Sequence, residues 1–344
     1  MKRIFITVDT ECHDINRQDR YIWGKTKKGE LWGIDKILSI ANDLGIPINF
    51  FVDVPEAKLY GDVFIQSIVD KIHAAGQKSY IHLHPNYITG ENEQTFFWKY
   101  TYAEKKTILL ETKVIAGKFL SDQEMKVFRI GRYGADSQMY SIIREILGEG
   151  VIDFSFCYEN GKMCHLGEKE INTKNNIIDY KGTILFPNTR YIGLRLMGKR
   201  KTFNLDTAET CFNEFKSIID QNQLENITLT MHSWNFIKVF FFNKSTVWPD
   251  RLAERKFRKM VRYAQDKGYV FSDIVDSRTY IKPSNEDQIV DLCTTPLGKF
   301  KSLVYNFIRF QNTARISAKY FILYTLFYST LSLFLGVFLY LVLS

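Results

Sequence analysis

Six histidines occur in the chain, and two of them sit two residues apart in the run Ser79-Tyr80-Ile81-His82-Leu83-His84-Pro85. In a strand, a period of two points both imidazoles to one face. Pro85 has no N–H to continue a ladder, so the strand ends just past the pair. Two neutral imidazoles converging at a strand end are what a Zn2+-like cation takes from one element. The competing reading is a solvent-facing strand that alternates His and Leu. Carboxylates repeat the spacing near the start of the chain, where Asp9 and Glu11 close an apolar run; turn and N-cap carboxylates would look the same. Four further apolar runs also end in polar groups: Asn49 to Asp53, Phe128-Arg129 to Arg132-Tyr133, Asp153 to Ser155, and Met231-His232-Ser233-Trp234.

The elements that must position these groups alternate in period. Strand-length apolar runs fall at 4–8, 47–52, 79–83, 126–130, 151–154, 183–186, 227–231 and 269–271. Helical patterns lie at 35–44, 62–75, 103–118, 137–147, 207–220 and 250–267. Strand–helix alternation implies parallel strands joined by crossover helices. The expectation is an α/β fold, a distorted (β/α) barrel of seven or eight parallel strands. Residues 86–102 and 155–205 break the rhythm and are expected as loop excursions. In such barrels chemistry collects at the C-terminal ends of strands, and six strand ends here carry titratable groups.

Composition is that of an ordinary globular chain, with 45% hydrophobic and 24% charged residues in 344. The net charge of +8 is scattered and no nucleic-acid motif accompanies it, so no nucleic-acid partner is expected. The five cysteines are Cys12, Cys157, Cys164, Cys211 and Cys293. Their odd number and irregular spacing argue against a disulfide framework and favour a reducing compartment. Residues 320–344 contain no charge, and that length meets the ~20 residues a helix needs to cross a bilayer. Lys299, Lys301, Arg309, Arg315 and Lys319 precede it with no acid between them. The expected organisation is therefore a catalytic barrel over 1–290, a basic amphipathic segment over 291–319, and a transmembrane helix over 320–344. The positive flank places the barrel on the cytoplasmic side.

In the order of its motifs, over roughly residues 3–275, the chain resembles the polysaccharide deacetylase (NodB-homology) superfamily. It is most similar to the branch with Asp-x-Glu first and His-x-His-Pro as the metal motif. The family's more familiar Asp-Asp pair appears as Asp9-Thr10-Glu11, its two histidines four apart as His82 and His84, and its Arg-x-Pro-Tyr as Arg129-Ile130-Gly131-Arg132-Tyr133. The resemblance implies a divalent metal, Zn2+ foremost, held by Glu11, His82 and His84, with Asp9 as general base; the two carboxylates could exchange these roles. It implies His232 as the general acid, oriented by Asp153, with Arg129 or Arg132 paired to the base. The backbone near Tyr133 would hold the oxyanion, and Arg132, Tyr133 and Trp234 would contact substrate. Trp98 and Tyr87 could stack on sugars or simply pack.

The implied reaction is hydrolysis of the N-acetyl amide of an amino sugar, in a glycan or in a lipid- or nucleotide-linked intermediate. Two rival readings are a metal amidohydrolase acting on a small amide and a membrane-anchored glycan-binding protein with an inactive site. In amidohydrolases a His-x-His pair belongs to the first strand, whereas this pair belongs to the third.

Overall fold

The run Arg3-Ile4-Phe5-Ile6-Thr7-Val8-Asp9-Thr10 forms a strand buried along nearly its whole length, as expected where a sheet is covered on both faces. The computed structural model describes residues 1–12, 16–91, 95–156, 164–166, 175–196, 199–240, 243–283 and 290–292, with Leu326, Ser329, Thr330, Ser332 and Leu333. The 291–319 segment, except at its start, and the expected transmembrane segment lie outside the described residues apart from those five positions. Among the described residues no helix is long and apolar enough to cross a membrane.

The strands are β1 (Arg3–Thr10), β2 (Asn49–Asp53), β3 (Lys78–Leu83), β4 (Val127–Ile130), β5 (Ile152–Asp153), β6 (Ile178–Tyr180), β7 (Thr183–Leu185), β8 (Arg190–Leu196), β9 (Lys199–Asn204), β10 (Asn226–His232), β11 (Ile237–Phe240), β12 (Asn243–Pro249), β13 (Val270–Phe271) and β14 (Val290–Asp291). Nine of them make one sheet in the order β10-β1-β2-β3-β4-β5-β7-β6, with β13 added beside β1. Pairing is parallel from β10 through β7, and β6 alone turns back antiparallel.

The sheet curls without closing through a strand ladder. Side chains span the remaining gap: Thr228 N–H donates to Thr189 Oγ1 (2.8 Å), Thr228 Oγ1 to Pro187 O (3.1 Å) and Thr230 Oγ1 to Asn188 Oδ1 (3.0 Å). A second seam forms where β1 parts between β13 and β2. Buried Asn49 stitches it, donating to Ile6 O (3.0 Å) and Ser272 O (3.2 Å) and accepting from Ile274 N–H (3.0 Å).

Strand parity separates two cores. Ile4, Ile6, Val8, Phe50, Val52, Ile81, Leu83, Phe128 and Ile130 face the surrounding helices. Phe5, Phe51, Tyr80, Val127, Ile152, Phe154 and Phe186 fill the inside of the curl. The helix Ile34–Leu44 shows how the outer layer is written: Ile34, Ile37, Leu38 and Ala41 recur at helical spacing and are buried. That helix ends at Gly45, whose φ of 61° suits a residue without a Cβ.

Every anticipated strand window contains a strand. The helix expected at 207–220 begins later, at Phe212–Gln221, because Asp206 and Thr210 close a turn first. Asp206 Oδ1 accepts Ala208 N–H (2.6 Å), and Thr210 Oγ1 accepts Asp206 N–H (3.2 Å). Among the described residues three hairpins add to the expected pattern: β6–β7 and β8–β9, inside the 155–205 excursion, and β11–β12.

Candidate active site

Climbing β1 by twos, the inward side chains change from Phe5 to Thr7 to Asp9, and Glu11 follows just past the strand end. Register places Asp9 beside His232 of β10 and Asp53 of β2 beside His82 of β3, which in turn lies beside Arg129 of β4. Five parallel strands thus deliver their polar residues to one end of the curl.

Glu11, His82 and His84 are buried and converge. Glu11 Oε2 lies 2.5 Å from His84 Nε2 and 3.4 Å from His82 Nε2. His82 Nδ1 lies 3.1 Å from the Arg129 carbonyl oxygen. That contact fixes the ring and leaves Nε2 for the cluster, the usual support of a ligating imidazole. Glu11 Oε2 is buried with no aligned hydrogen bond to satisfy it. A carboxylate and two imidazoles meeting at such an atom suit a divalent cation of the Zn2+ type, and three protein donors leave positions open. Burial pushes the Glu11 carboxyl up, but the His84 and His82 imidazoles outweigh it and hold the group well below the usual carboxylate range.

Gly131 makes room for this cluster. A Cβ there would lie 2.4–2.6 Å from atoms of the His84 ring, so only glycine lets the β4 turn pass so close. Arg132 (φ 57°) and Tyr133 (φ 54°) follow in the left-handed region, two successive costly conformations of the sort that cluster at functional sites.

Asp9 belongs to a different partner. Its carboxylate is paired with Arg129 Nη1, and Arg129 Nη2 donates to Thr7 Oγ1 (3.0 Å) and Asn188 Oδ1 (3.4 Å). The guanidinium is fully buried, 4.3 Å from the Phe51 ring centroid. The two carboxylates left interchangeable by sequence are therefore separated: Glu11 meets the imidazoles and Asp9 meets Arg129. Arg132 is exposed, with its guanidinium 4.9 Å from the Phe96 ring centroid.

His232 forms the open wall. Its Nε2 lies 4.0 Å from Glu11 Oε1, and its side chain retains 32% exposure where Glu11, His82 and His84 retain 11% or less. Its ring stacks on Trp234 at 4.6 Å. Trp234 is itself buried and packs edge-on against Tyr21 at 5.1 Å, so it supports His232 from beneath instead of offering a free face to substrate. Tyr133 is half-buried beside Gly131. Trp98 lies between Phe96 (5.4 Å) and His165 (4.1 Å), and Tyr87 OH donates to Cys12 O (3.1 Å).

Asp153 does not reach His232, which corrects the expected pairing. Its neighbours Ile152 and Phe154 occupy the inner core, so parity turns Asp153 outward. There it accepts from Tyr140 OH (2.8 Å) and from Ser155 Oγ. Burial raises its carboxyl to about 6 against those hydrogen bonds and the Arg129 charge. Asp206, in the turn before the Phe212–Gln221 helix, bridges Thr230, two residues before His232 on β10. Burial raises its pKa, and the His232 charge opposes that rise first.

Two more buried acids surround the cluster: Asp53, named from sequence only as a strand end with no role, and Glu56, which was not singled out. Asp53 Oδ1 accepts His84 N–H (3.3 Å), while Oδ2 has no partner. Burial, then the Glu56 and Glu11 charges, push its pKa well up. Glu56 Oε1 accepts Cys12 N–H (2.5 Å), and burial raises this carboxyl to about 8. The signal for Asp53 was parity, since Asn49, Phe51 and Asp53 share a strand face; Glu56, in a single helical turn after Pro55, offered none.

Neither the scan of family models nor the search of curated proteins returned a match. Solved structures do align. A candidate polysaccharide deacetylase from Mycobacterium smegmatis superposes with a TM-score of 0.51 at 12% identity, covering 81% of this chain and 89% of that one. A family 4 carbohydrate esterase from Streptomyces lividans, solved with acetate, aligns at a TM-score of 0.43 and 12% identity over 83% and 98%. A pseudoenzyme of the same esterase family from Bacillus anthracis aligns at 0.42 and 11% over 80% and 65%. The first likeness shows that the chain has the deacetylase fold its sequence motifs resemble; at that identity it shows nothing finer.

Proposed function

We propose that the chain is a metal-dependent N-deacetylase that hydrolyses the acetamide of an amino sugar. The observation that carries this reading is the convergence of Glu11, His82 and His84, with the Asp9–Arg129 pair on one side and half-open His232 on the other. A divalent cation held by those three residues, Zn2+ foremost, would polarise the amide carbonyl and acidify water when bound.

The chain's own residues account for the proton traffic. Arg129 holds the Asp9 carboxylate in place, so Asp9 can take the proton released as water adds to the carbonyl carbon. The backbone of the left-handed Arg132–Tyr133 turn is assigned to the oxyanion that forms. His232, exposed enough to touch substrate, gives its proton to the nitrogen as the C–N bond breaks. Acetate and a free amine leave, and Asp9 and His232 return to their starting states by exchange with water. Asp206, bridged to Thr230 two residues before His232 on β10, is the acid assigned to His232, the part expected of Asp153.

The substrate is assigned to the inner leaflet of a membrane: an N-acetylated sugar on a lipid or nucleotide carrier, with the barrel facing the cytoplasm. The uncharged 320–344 sequence and the basic residues before it support that placement. Acetate release from N-acetylated sugar oligomers, nucleotide sugars and lipid-linked sugars, before and after chelation, tests the reading. Chelator-sensitive release from at least one class is expected; no release from any, with metal present, would overturn it.

A further inference from the structure

The helix Arg251–Asp266 buries Ala253, Phe257, Met260, Val261 and Ala264 and leaves Arg251, Arg255, Lys259 and Arg262 exposed. Steps of four, four and three place these cations along one face, where like charges at such spacing destabilise a helix. Other cations of the helix are used within the fold. Arg258 binds Asp43 (2.7 Å) and Glu254 (3.0 Å), and Lys256 donates to the carbonyls of Thr207 (2.5 Å) and Thr210 (3.0 Å). Among the described residues none of the four exposed cations has an ion pair or a hydrogen bond, so little in the fold offsets the repulsion.

Arg255, Lys259 and Arg262 line an open surface pocket of about 360 Å3 together with Arg258, Phe212, Tyr263 and Asp266. Lys259 Nζ lies 4.0 Å from the Phe212 ring centroid, and Phe212 meets Tyr263 edge-on at 5.7 Å. Cations over aromatic walls suit a phosphate-bearing group with an apolar body. At the start of the helix Leu252 and Trp248 are 54% and 48% exposed, and an exposed Trp beside cations is typical of a bilayer interface.

We propose that this face docks on an anionic lipid bilayer. A bilayer is favoured over a soluble polyanion because the same chain goes on to five basic residues without an acid and then to 25 uncharged ones, Tyr320 to Ser344. The docking is independent of the chemistry at the strand ends, and its test uses no substrate.

The full chain is added to phosphatidylcholine vesicles with and without phosphatidylglycerol, and lysine acylation is read by mass spectrometry. Labelling of Lys259 should fall several-fold relative to Lys118, and only on the anionic vesicles. Arg255→Ala combined with Lys259→Ala should reduce the preference for anionic over neutral vesicles by about 25-fold, at ~5-fold per cation. The C-terminal sequence is common to both proteins and cancels in that comparison. Equal labelling on both vesicle types, or an unchanged preference in a variant with unaltered thermal unfolding, would overturn the proposal. So would protection of Lys259 by dextran sulfate but not by anionic vesicles, which would assign the face to a soluble polyanion.

Discussion

The inside of the curled sheet has two halves that share the same strands. In one layer Phe5, Phe51, Tyr80, Phe154 and Phe186 pack as aromatic rings, with Phe154 and Phe186 stacked at 4.7 Å and Phe5 meeting Phe186 at 5.0 Å. Toward the strand ends, the same parity delivers Asp9, Asp53, His82 and Arg129. The aromatic layer holds itself together mainly by apolar burial, with the Tyr80 hydroxyl donating to Asp273 (2.7 Å). The upper half crowds acids, imidazoles and a guanidinium where water is scarce, and such groups are tolerable only when paired. Fold and chemistry are thus separable along each strand at a step of two residues, and substitutions in one half should leave the other measurably intact.

The largest effect is expected from Gly131→Ala. Its Cβ would occupy the space of the His84 ring, so metal and turnover should both be lost while the thermal transition shifts little. Metal analysis and acetate release check this, and full metal content would show that His84 is dispensable. Phe5→Ala should do the reverse, costing about 3–5 kcal/mol of stability with metal content retained, as denaturant unfolding of the metal-loaded protein would show.

A finer division separates buried Asp153 from half-buried Asp206. Asp206→Asn should lower turnover roughly tenfold or more, because the acid assigned to His232 is gone. Asp153→Asn should leave turnover nearly unchanged and weaken the fold through its bonds to Tyr140 and Ser155. If Asp153→Asn lowers turnover and Asp206→Asn does not, the assignment of Asp206 to His232 is wrong.

A last test of the acid-rich half concerns Glu56. Its carboxyl is raised to about 8 in the folded chain against ~4.5 when unfolded, so between those values the folded state binds the extra proton. Stability therefore falls as pH rises through this window, by at most ~1.4 kcal/mol per pH unit. Melting of the metal-free protein from pH 5 to pH 8 should show the decline, and Glu56→Gln should flatten it.

Much of the architecture was legible because period-two runs and helical patterns report burial directly. His82 and His84 were legible for the same reason, since Pro85 marks the strand end. Asp153 was misplaced because chain order alone was used for a two-residue strand, where parity between Ile152 and Phe154 decides the face. Asp206 was missed because it stands in a turn that the helical pattern from 207 concealed. The β11–β12 hairpin lies in the aromatic and β-branched run Ile237–Trp248, which periodicity left unassigned, and the threonine and asparagine seam at 187–189 depends on contacts far apart in sequence.

Metal content of the purified protein, compared with Glu11→Gln, His82→Ala and Asp9→Asn, tests the central claim most directly. The wild-type protein should carry about one divalent ion per chain, as three converging donors imply. Glu11→Gln and His82→Ala should lose it, and Asp9→Asn should keep it while turnover falls ~10²-fold or more. Retention of metal in Glu11→Gln with loss in Asp9→Asn would reverse the two carboxylates, and undiminished metal in every variant would contradict the site itself.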